Sequence, residues 1–254
     1  MTDRYDLDHV ALAAPDTADA LRFLTGELGG TILFGGQGVG FRPMQVWLGS
    51  RSGDGMPVEL LEPWAVEQND FLERFVARHG AGPHHLTFKV PDLADAVARV
   101  RGAGFHPVNI DVSDPAWKEA FLMPREAHGT VVQLAESHGH PETRAELLDH
   151  VARFGPDVHP RWWVEPARPH GHGTLRRVVL RTPSIPSALG FFAGVLQGDV
   201  EHETDDSADL VWPRGGRIRL EQRDDMAPGV DRLEVIGLAS GRTIAGTRFT
   251  PTER

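Results

Sequence analysis

One pattern occurs three times in this chain: a strand of alternating residues, a proline followed by a capping residue, and a helix closed by glycine. At 7–13 and again at 86–90 apolar residues alternate with polar ones, the period of a strand with one packed face. Pro15-Asp16 and Pro91-Asp92 end these strands. Helical spacing follows through Leu21, Leu24 and Leu28 to Gly29-Gly30, and through Leu93, Ala96, Val97 and Val100 to Gly102 and Gly104. The third copy, from Leu175 to Pro183-Ser184, leads into a helix through Leu189, Phe192 and Leu196 to Gly198. Repeats this far apart are not a solenoid; they confine the chain to duplicated supersecondary modules. Six residues before the three prolines stand His9, His85 and Arg177.

Three further strands are expected after each of the first two helices, at 31–34, 44–48 and 57–63, then at 107–110, 120–123 and 130–135. Each unit thus reads βαβββ. Glu59 lies in mid-strand on the last strand of the first unit, and Gln133 holds the same place in the second. The glycine-rich stretch at 35–38 lacks the strand-to-helix setting of a phosphate loop and reads as a hairpin loop. A helix over 69–79 joins the two units.

Beyond Ser137 the pattern breaks. Residues 138–172 read as a linker with a helix at 142–154, a Trp162-Trp163 pair, and the pairs His138/His140 and His170/His172, taken as polar loop residues. From 173 the module returns in shortened form, and a strand at 231–236 opens a fourth copy with Arg232 in the histidine's place. Arginine offers no lone pair to a metal. The expected organisation is therefore α+β: a paired βαβββ domain over 1–137, the linker over 138–172, and a degenerate βαβββ-like domain without metal ligands over 173–254.

His9, Glu59, His85 and Gln133 recur at matching places in two copies, and together they offer two imidazole nitrogens and two side-chain oxygens. That donor set suits a divalent transition ion with positions left for water or substrate. Composition narrows the partners. A formal net charge of −10 with no basic run disfavours nucleic acid. Without cysteine there is no thiolate chemistry, and no segment has the length of a membrane span. The opening residues lack the regions of a signal peptide, so the cytoplasm is the expected location. Trp47, Trp64, Trp117 and Phe121 are candidates to line an apolar pocket for a small molecule, alongside Gln45.

Residues from about 7 to 137 resemble the vicinal oxygen chelate superfamily, which includes glyoxalases, dioxygenases and bleomycin-resistance proteins. The epimerase-like branch is the most similar, through LDHVAL from Leu7, VELLEP from Val58, GPHHLTF from Gly82 and GTVVQL from Gly129. The resemblance implies a half-open barrel around one divalent ion (Co, Mn, Ni, Zn or Fe) held by His9, Glu59, His85 and Gln133, and a homodimer. It also implies acid–base residues at the positions of Gln45 and Gln133, where a carboxamide cannot exchange a proton at neutral pH. Glu59 is left as the expected single base. The expected function is a metal-dependent isomerase or lyase acting on a small carbonyl compound or acyl-thioester through an enolate. Two alternatives stand beside it: an Fe(II) oxygenase using His9, His85 and Glu59, and a non-catalytic protein that sequesters a small ligand.

Overall fold

The computed structural model describes residues 4–50, 52–137, 143–158 and 167–253. Module one comprises β1 (Asp6–Ala13), α1 (Ala18–Arg22) continued by a π-helical turn (Phe23–Glu27), β2 (Thr31–Gly35), β3 (Gly40–Gly49) and β4 (Gly55–Trp64). After α2 (Phe71–His79), module two follows as β5 (Gly82–Lys89), α3 (Leu93–Gly102), β6 (Val108–Asp114), β7 (Trp117–Leu122) and β8 (Val131–Ser137). Next come α4 (Arg144–Phe154) and β9 (Asp157–Val158). Module three is β10 (Thr174–Thr182), α5 (Ile185–Leu189) with its π-helical turn (Gly190–Val195), β11 (Asp199–Glu203), β12 (Ser207–Val211) and β13 (Arg217–Gln222). A shortened fourth copy has β14 (Gly229–Ile236), β15 (Arg242–Ile244) and β16 (Thr247–Pro251).

In every copy the first strand runs parallel to the last, β1 with β4, β5 with β8, β10 with β13 and β14 with β16. Antiparallel pairs join β2 to β3, β3 to β4, β6 to β7, β7 to β8, β11 to β12, β12 to β13 and β15 to β16. The strand orders are β6-β7-β8-β5-β1-β4-β3-β2-β9 and β11-β12-β13-β10-β14-β16-β15. These are tandem βαβββ modules, as the repeats require.

The turn between first strand and helix is fastened by the same device in modules one and two. Glu62, three residues beyond Glu59, accepts from the Thr17 backbone N–H and hydroxyl, both at 3.0 Å. Glu136, three beyond Gln133, accepts from the Leu93 N–H at 2.8 Å, while Asp92 caps α3 by accepting from Asp95 N–H at 2.8 Å. Capping bonds of this kind contribute about 1 kcal/mol each. A tight approach follows the helix. A Cβ at Gly30 would stand 2.6 Å from Val46, and one at Gly198, the matching place in module three, 2.7 Å from the Trp212 ring.

Packing divides the chain into two compact units. The first takes Met1–His9, His85–Glu142 and Arg177–Asp231. Its core joins modules two and three through Phe88 against Trp212 (5.3 Å between ring centroids), Phe105 against Phe191 (5.0 Å), and Arg99 bonded to the Val195 carbonyl (3.2 Å). The second takes Val10–His84, Thr143–Arg176 and Arg232–Arg254. In it α2 lays Leu72, Phe71, Phe75 and Val76 over Ala11, Ala13 and Leu61, and α4 lays Leu148 and Val151 over Leu33 and Trp47.

Some elements differ from expectation for identifiable reasons. β6 runs four residues further than its apolar stretch, because backbone pairing with β7, across two register shifts, holds residues that are all exposed. β9, β15 and β16 are short or polar and carry no periodic signal. Among the described residues no helix is long and apolar enough to cross a membrane.

Candidate metal centre

Parallel register brings the site together. In module one the residue two beyond His9, Ala11, pairs with Glu59 on β4; in module two the residue two beyond His85, Thr87, pairs with Gln133 on β8. The same offset in both copies places a histidine and an oxygen donor on one face of each parallel pair. His9, Glu59 and His85 are 1%, 8% and 7% exposed. One ligand atom from each of these three residues lies within 4.8 Å of the other two, the only such group of three or more His, Asp or Glu among the described residues. The two imidazole rings meet edge to face, 5.8 Å apart. An ion bonded at about 2.0–2.2 Å to each of two ligands holds them within about 4.4 Å of each other. Small side-chain rotations bridge that difference, and two imidazoles with a carboxylate fit a divalent transition ion.

Around His9 runs a chain of hydrogen bonds. Its Nδ1 faces Asp8 Oδ2 at 2.8 Å, and its Nε2 faces the Thr87 hydroxyl at 2.9 Å. That hydroxyl, fully buried, donates to Gln133 Oε1 at 2.6 Å. Gln133, 7% exposed, donates in turn from Nε2 to Glu119 Oε2 at 2.7 Å. The same Glu119 oxygen accepts from Trp117 Nε1 at 2.8 Å.

The remaining expected site residues fall in different settings. Gln45 pairs with Glu59 across β3 and β4 and donates to its Oε1 at 3.2 Å. Phe121 pairs with Gln133 and is partly exposed. Trp47 is 2% exposed, packed beside Leu148 and Val151 of α4 and under the Arg144 guanidinium. Trp64 is 38% exposed beneath Arg42. His84 packs edge-on against Phe75 (4.6 Å) and Phe71 (6.3 Å). Burial pushes its imidazole down to about 4, against the pull of the Glu59 carboxylate. Neutral His84 is thus a packing residue of the α2 face. Of the linker residues, His138, His140, Trp162 and Trp163 lie outside the described residues, while the His170 backbone N–H bonds the Gly26 carbonyl at 2.9 Å.

Asp8, Thr87 and Glu119 of the hydrogen-bond chain carry no signal of their own in the sequence. Thr87 sits between His85 and Lys89 on the polar face of its strand, where its sequence position does not set it apart from an ordinary strand threonine. Glu119 lay just outside the strand expected at 120–123. The observed β7 starts at Trp117, and the alternation Trp117, Glu119, Phe121 puts all three on the face of Gln133.

The chain is similar in sequence and in fold to known proteins. Residues 8–121 match the Glyoxalase/Bleomycin resistance protein/Dioxygenase superfamily. Among solved structures, a hypothetical protein from Staphylococcus aureus is similar over 98% of this chain and 100% of its own, with 11% identity and a TM-score of 0.64. A hypothetical protein from Bacillus halodurans is 24% identical over 55% of this chain and 99% of its own, with a TM-score of 0.47. A Streptomyces coelicolor methylmalonyl-CoA epimerase is 22% identical over 53% and 98%, with a TM-score of 0.46. No curated protein matches.

Proposed function

We propose that this protein is a divalent-metal-dependent isomerase or lyase that moves a proton at the carbon beside the carbonyl of a small carbonyl compound or acyl-thioester. The observation that carries the reading is the convergence of His9, Glu59 and His85 within 4.8 Å of one another on a superfamily scaffold. His9, His85, Glu59 and Gln133 would hold the ion. When bound, such an ion polarises a carbonyl oxygen and acidifies the neighbouring C–H.

The chain's own groups do the rest. Glu59 is the only carboxylate of the cluster, and the Gln45 amide at 3.2 Å steadies one of its oxygens. Glu59 takes the proton and returns it, a one-base reaction. Gln45 and Gln133 exchange no proton at neutral pH and act by orientation. Phe121, partly exposed beside Gln133, offers apolar surface to the substrate. Deuterium uptake from heavy water into acyl-thioesters and α-hydroxy ketones tests the reading. Wild type should exchange, and Glu59→Gln should keep metal yet lose exchange. Equal exchange by both would remove Glu59 from the chemistry.

A second reading has the same cluster behind it. Two histidines and one carboxylate are the set used by non-haem Fe(II) oxygenases. Iron as the bound metal, with oxygen consumption on a candidate substrate, would favour it over proton transfer.

A further inference from the structure

Gln133 is a carboxamide at a place where either end of the amide can face the cluster, and the two ends are chemically opposite. Its oxygen can serve a cation; its NH2 group repels one. What surrounds the amide decides which end is presented. On one side the Thr87 hydroxyl lies 2.6 Å from one amide atom, and on the other Glu119 Oε2 lies 2.7 Å from the second. A carboxylate only accepts. Turning the amide over would set two oxygens 2.7 Å apart, so Glu119 takes the NH2 and drives Oε1 toward Thr87. Through that one hydroxyl, Oε1 is next to His9 Nε2, 2.9 Å beyond the Thr87 oxygen.

We infer that Glu119 is a positioning residue that makes Gln133 an oxygen donor toward the His9 side of the cluster. The inference rests on the proposed metal role of the cluster. Glu119 itself lies outside the three-residue group. It acts through Gln133, across one hydrogen bond, as residues behind the ligands of metal sites do. Its other partner, Trp117 Nε1 at 2.8 Å, shares the same oxygen and holds the carboxylate in place.

The test is Co(II) titration of metal-stripped full-length protein by calorimetry, in wild-type and Gln133→Ala backgrounds. Glu119→Leu should weaken Co(II) binding about tenfold or more in the first and change it less than twofold in the second, since the residue it orients is gone. Glu119→Gln, whose amide oxygen still accepts from Gln133, should recover part of the loss. A loss below twofold in the wild-type background, or an equal loss in both, overturns the inference.

A second readout needs no metal. The side-chain NH2 resonance of Gln133, identified by its absence in Gln133→Ala, should shift in Glu119→Leu. If wild type binds no divalent ion, the proposed function fails, and this resonance still decides the orientation: a shift supports it and an unmoved signal refutes it.

Discussion

Modules two and three share one backbone and one compact unit, yet they fill the same register positions with opposite chemistry. In module two, His85 is followed at two residues by Thr87, paired with Gln133, which pairs in turn with Phe121. In module three, Arg177 is followed by Val179, paired with Arg219, which pairs in turn with Asp209. Both arginines bond the one carboxylate, Arg177 to Asp209 Oδ1 at 3.1 Å and Arg219 to Oδ2 at 2.8 Å, and Arg219 Nε reaches Glu221 at 3.3 Å. Guanidinium groups cannot ligate a cation. Module three has closed its site with ion pairs, while module two keeps imidazole, hydroxyl and carboxamide. Parallel pairing and the turn preserve the scaffold, and a handful of face residues decide whether it holds chemistry.

The comparison breaks most visibly if module two is given module three's residue. His85→Arg should weaken divalent-ion binding by more than a hundredfold, about 2.7 kcal/mol by the relation between affinity and free energy, and destabilise the fold as well, since burying a charged guanidinium is costly. Equilibrium dialysis reads the first effect and urea denaturation the second. Retained affinity would mean that His85 is not a ligand.

Asp209→Ala tests the other side. It removes the carboxylate that two partly buried arginines share and should cost about 2 kcal/mol in urea denaturation, less than a fully buried pair would, with metal content unchanged. A change in metal content would show that module three contributes to the site after all.

Thr87→Val keeps volume and removes the hydroxyl joining His9 to Gln133. A loss of about 1–2 kcal/mol in the metal-stripped protein is expected, because buried polar atoms lose a partner. Unaltered stability would mean the chain of bonds is ornamental.

The smallest expected effect concerns His128, whose ring packs 5.9 Å from both Phe191 and Phe192 of module three. Burial lowers its pKa from the ordinary 6.5. Its contribution to stability is therefore full above that ordinary value and is lost as pH falls through the lowered folded value, because the unfolded chain takes up the proton first. His128→Phe should flatten this part of the decline when urea midpoints at pH 7.5 and pH 5 are compared. An identical slope would place the ring in water.

Much of this was legible in the sequence because strand alternation and the six-residue offset from each proline are local facts. They set His9 and His85 on polar strand faces, and parallel pairing carried Glu59 and Gln133 to them. Glu119 was hidden for a physical reason. The start of β7, Trp117-Lys118-Glu119, is half polar, and its membership in the strand is decided by ladder bonds to β8 rather than by apolar periodicity. The same holds for β15 and β16, whose pairing is with each other and with β14. The ion-paired Arg177–Asp209–Arg219 group was equally invisible, since Asp209 joins it only through the antiparallel register of β12 with β13.

Elemental analysis of protein purified without added metal tests the central claim most directly, for wild type, His9→Ala, His85→Ala and His172→Ala side by side. About one divalent transition ion per chain is expected in wild type and His172→Ala, and little in the other two. No ion in wild type reloaded with Co, Mn, Ni, Zn and Fe salts, or a content that follows His172 rather than His9 and His85, would contradict it.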